Sequence, residues 1–116
     1  MESKAKRTLV KSAPELWELA DDRTRMEAWT AEVLGTTHPG PVEVTAREPE
    51  RVLAWRTPHE AGAEARIALE LAEKGFGTAV SVTAQHPRPE TAEVNAALEQ
   101  LLDELGSPER RPFERS

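Results

Sequence analysis

The sequence predicts an α+β domain: a curved antiparallel sheet of about six strands, two short helices after the first strand, and one long C-terminal helix laid across the sheet. Three observations lead there. Within residues 90–105 the apolar residues Val94, Ala97, Leu98, Leu101, Leu102 and Leu105 recur at the spacing of one helix face. Upstream, residues 42–47, 52–57, 64–72 and 78–85 alternate apolar and polar, as strands with one buried face do. A four-turn helix with so long an apolar stripe is not stable alone in water. An antiparallel sheet with one apolar face needs a cover, so the two surfaces belong together.

Composition limits the alternatives. The chain has 116 residues, enough for one domain and one core. Its net charge of −6 argues against a phosphate-binding surface, which needs clustered Lys and Arg. With no cysteine there is no disulfide framework and no thiolate zinc site. The basic stretch 1–11 has no apolar run behind it, so no secretory signal is expected. No segment approaches the ~20 apolar residues of a membrane span. A cytoplasmic location is the expectation.

Taken in order, residues 1–6 are polar and expected to be a flexible N-terminus. Residues 7–11, around Leu9 and Val10, read as a short first strand. Ser12 and Glu15 form a capping box, with Pro14 in the first turn of a helix that presents Leu16, Trp17 and Ala20. Asp21-Asp22 ends that helix and caps a second short one through Met26 to Trp29. Residues 31–35 read as a weak strand or extended link, and Thr37-His38-Pro39-Gly40-Pro41 as a turn. In the next strand Val42, Val44 and Ala46 share one side, opposite Glu43, Thr45 and Arg47. Glu48-Pro49-Glu50 turns. The following strands point Leu53, Trp55 and Thr57, then Ala65, Ile67, Leu69 and Leu71, inward. Lys74-Gly75-Phe76-Gly77 makes a hairpin, after which Thr78, Val80, Val82 and Ala84 face in. Pro89 suits the start of the long helix, and Gly106 the position just past its end. Residues 107–116 read as a loose tail, which leaves 7–106 as the domain.

In this order and spacing the chain resembles the helix-grip superfamily called SRPBCC or START-like. The resemblance rests on Ala13-Pro14-Glu15-Leu16-Trp17, Asp21-Asp22, Trp29, the run from Pro49 to Trp55, the run from Gly77 to Val82, and the terminal helix from Val94 to Leu105. The superfamily includes polyketide cyclase-like proteins, lipid-transfer domains, pollen-allergen-type carriers and activators of heat-shock-chaperone ATPases. Its members usually carry a further strand or hairpin before the segment equivalent to Pro49–Leu53. The resemblance therefore implies about six strands here where seven are usual, and a cavity that is smaller or open along one sheet edge. An open edge is a template for pairing, which brings in a homodimer through that edge.

Trp17, Trp29 and Trp55 are the only tryptophans. Trp17 and Trp29 suit bracing of the helix pair, and Trp55 stands on a strand face toward the long helix. The inward stripes from Val42 to Ala84 contain no Asp, Glu, His, Lys or Arg. General acid–base chemistry needs a titratable group within reach of the substrate, so this wall suits binding better than catalysis. The leading expectation is a non-catalytic domain that holds a small hydrophobic, aromatic or lipid molecule against Trp55, Ile67, Leu69, Val80, Val82, Leu98 and Leu101, with no cofactor. An enzyme of the polyketide cyclase or dehydratase type is the alternative, with His59 or His86 reaching the pocket mouth. A third reading is a protein-interaction module resembling the chaperone ATPase activators. His38, His59 and His86 all lie in Pro- or Gly-flanked loops. Loop histidines on a wide sheet do not converge to the ~2.1 Å that a zinc ion requires, so no metal is expected.

Overall fold

The structure is a computed structural model that describes residues 2–35, 41–57, 65–86, 88–89 and 91–106. Strand β1 (Glu2–Leu9) leads into helices α1 (Ala13–Ala20) and α2 (Arg23–Leu34). Strands β2 (Glu43–Glu48), β3 (Val52–Arg56), β4 (Arg66–Lys74) and β5 (Gly77–Gln85) follow, and then helix α3 (Thr91–Gly106). The strands form one antiparallel sheet in the order β1-β5-β4-β3-β2. The last four strands are thus a meander of neighbours, and β1 joins on the far side of β5.

The core lies where the two apolar periodicities meet. On α3, Val94, Leu98 and Leu102 are 0% exposed and Leu101 and Leu105 are 1% exposed. Leu53, Trp55, Ile67, Leu69, Val80, Val82 and Ala84 face them from the sheet. Full burial of each large side chain contributes about 1.5–3 kcal/mol, so this layer is the main source of stability. The helix pair completes the enclosure. Ser12 caps α1 by accepting from the Glu15 N–H at 3.3 Å. Asp22 caps α2 by accepting from the Thr24 and Arg25 N–H groups. These caps satisfy donors that have no partner inside the helix.

Several elements differ from the sequence expectation. The sheet has five strands, not about six, because residues 31–35 continue α2 instead of forming a strand or link. Met26, Trp29, Thr30 and Val33 are its buried residues, spaced three and four apart. Gly35 then ends it at φ 71, with its N–H directed at the carbonyls of Ala31 and Glu32. Residues 2–6, expected to be loose, are paired strand: Ser3 lies opposite Ala84 and Ala5 opposite Val82. Gly106, expected just past α3, is its last residue. Strand β2 carries a bulge at Thr45. Val44 lies opposite Trp55, yet Ala46 lies opposite Ala54 and Arg47 opposite Leu53. The extra residue swaps the faces, so Ala46 leaves the inward stripe and Arg47 turns to the helix side, where it meets Asp21 at 3.0 Å. The expected C-terminal tail, 107–116, lies outside the described residues.

Gly77 is fixed by close approach. A Cβ there would sit 2.0 Å from the Leu9 carbonyl oxygen, so only glycine lets the β4–β5 hairpin reach the end of β1.

Two stability measurements test this architecture. Leu98→Ala should cost about 2–5 kcal/mol in denaturant unfolding, since it leaves a cavity in the middle of the packed layer. Glu50 lies at φ 65 in the turn closed by the Arg51 N–H on the Glu48 carbonyl. Glu50→Gly should relieve that left-handed strain and raise stability by up to about 1 kcal/mol.

Candidate functional site

The interior between sheet and α3 closes around Trp55. It stands on the inward face of β3 and is 1% exposed. Its indole Nε1 donates to Thr30 Oγ1 at 2.8 Å, and the Thr30 hydroxyl donates to the Met26 carbonyl at 2.7 Å. The ring of Trp29 stacks on it, with centroids 6.0 Å apart and planes at 30°. Trp29 Nε1 in turn donates to Glu104 Oε1 on α3 at 2.8 Å. Helix α2 is therefore tied by one indole to the sheet and by the other to α3. An indole N–H buried this deeply needs an acceptor, and Thr30 supplies it. Thr30 was not singled out from the sequence. The signal that would have found it is the helical spacing that runs on from Met26 to Val33.

The structure brings together all seven residues expected to line a cavity. Trp55, Ile67, Leu69, Val80, Val82, Leu98 and Leu101 belong to one cluster and are 0–1% exposed. A ligand-sized cavity against them would appear as exposed surface, so these seven side chains pack on one another.

The inner face turns polar at one end. Thr57, just past β3, exchanges hydrogen bonds with the backbone of Ala65, its Oγ1 accepting from the Ala65 N–H at 3.0 Å. His86, one residue past β5, continues the inward stripe of Thr78, Val80, Val82 and Ala84. The stripe that is free of titratable groups from Thr78 to Ala84 thus ends on a histidine. His86 is 4% exposed and its Nε2 lies 3.0 Å from the hydroxyl of Ser3 on β1. Burial, and then neighbouring positive charge that includes Arg88, holds its pKa below the usual 6.5. The imidazole is neutral at pH 7. Both Ser3 and His86 are buried, and their contact joins β1 to the end of β5. His38 and His59 lie outside the described residues. Among the described residues no three His, Cys, Asp or Glu side chains gather as a metal site.

Arg88 ties the other elements at this end. It donates to the Val33 carbonyl at 3.1 Å and pairs with Glu93. A Cβ at Gly35 would come within 2.9 Å of its guanidinium. The end of α2, the start of α3 and the segment after β5 are thus fixed to one another.

The Trp55–Thr30 bond is open to a direct test. Thr30→Val keeps the bulk of the side chain and removes the acceptor, so the indole N–H is left buried without one. A loss of about 1–3 kcal/mol in denaturant unfolding is expected.

Neither a family model nor a curated protein sequence matches this chain. Solved structures do. CalU16 from Micromonospora echinospora is similar with a TM-score of 0.65 at 19% identity, over 92% of this chain and 76% of its own. DR_A0006 from Deinococcus radiodurans has a TM-score of 0.64 at 17% identity, over 90% and 97%. Aha1 from Colwellia psychrerythraea, solved as a dimer, has a TM-score of 0.60 at 16% identity, over 91% and 96%. Together with the element order and strand pairing described above, these likenesses show that the chain has a helix-grip fold, with five strands among the described residues.

Proposed function

We propose that this domain is a protein-interaction module whose contact is centred on Val10 and Phe76. The observation that carries the reading is the filled interior: the residues that would line a ligand cavity are packed on one another at 0–1% exposure. A small molecule held against these seven side chains would first have to part them. What the domain offers to a partner is then on its outside.

Val10 is 89% exposed and Phe76 is fully exposed. Both lie where β1 ends against the β4–β5 hairpin, since Leu9 lies opposite Thr78 and Gly77 closely approaches the backbone of Leu9 and Val10. Thr78 Oγ1 donates to the Lys11 carbonyl at 2.7 Å, which fixes the bend that displays Val10. Beside Phe76 runs a groove of about 260 Å³ along Ser12, Ala13, Pro14 and Thr78. Neither side chain contributes to the core, and a two-residue hairpin turn has no need of an aromatic. Large apolar groups held out in water on a rigid edge suit a partner's apolar pocket. The resemblance to chaperone ATPase activators supports a larger protein as that partner.

Two measurements separate this from a carrier. Titration with a panel of aromatic and fatty molecules should leave the emission of the buried Trp29 and Trp55 unchanged, and a saturable change would favour the carrier. The double variant Val10→Ser with Phe76→Ser should keep wild-type stability to within about 0.5 kcal/mol and lose a protein that the wild type captures from cell extract. Equal capture by both would move the contact elsewhere.

A further inference from the structure

We propose that the buried Ser3–His86 contact is an acid-released clasp, which frees the N-terminal half of β1 from β5 while Arg7 and Leu9 keep the other half in place. The inference is independent of the interaction reading above.

The two halves of β1 are held by different means. At the C-terminal half, Leu9 is buried against Gly106 of α3. Arg7 reaches from the strand to both Glu99 and Asp103 on that helix. These are two charge-assisted bonds to one guanidinium. At the N-terminal half the buried side chains are Ser3 and Ala5, which remove little apolar surface from water. Among the described residues, the strand pairing with β5 and the Ser3–His86 bond hold it there. β1 is a terminal strand of the sheet, so it is paired on one side alone. Local opening begins where few apolar contacts oppose it.

His86 makes that half sensitive to protons. Among the described residues, the charged groups around it are Arg88 on its own segment, Glu2 on β1 and Arg66 on β4. Glu2 and Arg66 both lie opposite Gln85, on the outer face of the sheet, away from the inward imidazole. Arg88 is cationic and engages Glu93. A proton added to His86 in the closed state therefore stands in a buried site beside positive charge. In the released state the ring reaches water and binds the proton at its ordinary value near 6.5. Since the released form binds protons more readily, the closed form loses ground as pH falls below 6.5 and regains it as pH rises. The closed-to-released ratio falls by up to about tenfold per pH unit, until the closed form also protonates.

Amide hydrogen exchange, corrected for the intrinsic pH dependence of the rates, tests the clasp at pH 7.5, 6.5 and 5.5. Amides of residues 3–5, and those of β5 opposite them, should lose protection below pH 6.5, while Thr8 and Leu9 stay protected. His86→Gln retains a side chain able to bond Ser3 but cannot titrate, and its exchange should not respond to pH in this range. Unchanged wild-type protection at pH 5.5 would overturn the proposal. So would a loss shared equally by Leu9, or an identical pH response in His86→Gln. Should that variant not fold, ring NMR of the wild type decides: a His86 midpoint below 6.5 supports the clasp, and one at or above 6.5 overturns it.

Discussion

The fold depends on covering one surface, the apolar stripe of α3. Six of its residues, Val94, Ala97, Leu98, Leu101, Leu102 and Leu105, are buried, and the helix has no other reason to be ordered. Five strands make a narrow sheet for this task. Two tryptophans supply the missing width. Trp55 extends from the sheet toward α2, Trp29 stacks on it from α2, and Trp29 is tied to Glu104 on α3. Bulk that a wider sheet would provide through further strands is provided here by indole rings, and their polar N–H groups are matched one to one with acceptors. The same substitution of side chain for strand keeps the inward side chains packed on one another.

Much of this was legible in the sequence where a single periodicity applied. The stripe of α3, the inward residues of β3, β4 and β5, both helix caps and the β4–β5 hairpin follow from local spacing, and each stands where that spacing puts it. The misreadings arose where a tertiary partner decided. Residues 31–35 were read as extended because their local pattern is weak, yet Thr30 and Val33 are helical because they pack on Trp55 and the core. Residues 2–6 look like a polar tail. They are a strand because β5 offers them an unpaired edge, which no count of apolar residues in 2–6 reveals. The bulge at Thr45 is invisible to alternation, since one added residue turns a correct pattern into the wrong face for Ala46 and Arg47.

The candidate site shows the same division. The seven expected lining residues share one interior cluster, because each follows from its own strand or helix. Whether such a group encloses a space depends on volumes summed across the sheet, and sequence order does not carry that sum. His86 was read as a loop residue because Pro87 follows it. Counting on by twos from Thr78 puts it in the inward row, and the proline only marks where that row ends.

The two terminal strands protect the sheet by different chemistry, and this bears on where a partner can add. A second copy pairing along β1, with the same sheet face kept on one side, must set even-numbered residues opposite one another. The two longest such registers place Lys4 opposite Lys6, or Lys6 opposite itself, and like charges directly opposed are unfavourable. At the far edge, the bulge in β2 breaks the ladder and puts Glu43 and Arg47 on opposite faces, so the edge presents no regular template. β5 has neither device where β1 covers it: Ser81, Thr83 and Gln85 alternate with Val82 and Ala84, uncharged and without a bulge. As long as β1 is in place the sheet has no bare, neutral edge at that side. The contact between Ser3 and His86 is then more than one hydrogen bond at a strand end, because it helps to hold a lysine-bearing strand over an edge that would otherwise accept another chain.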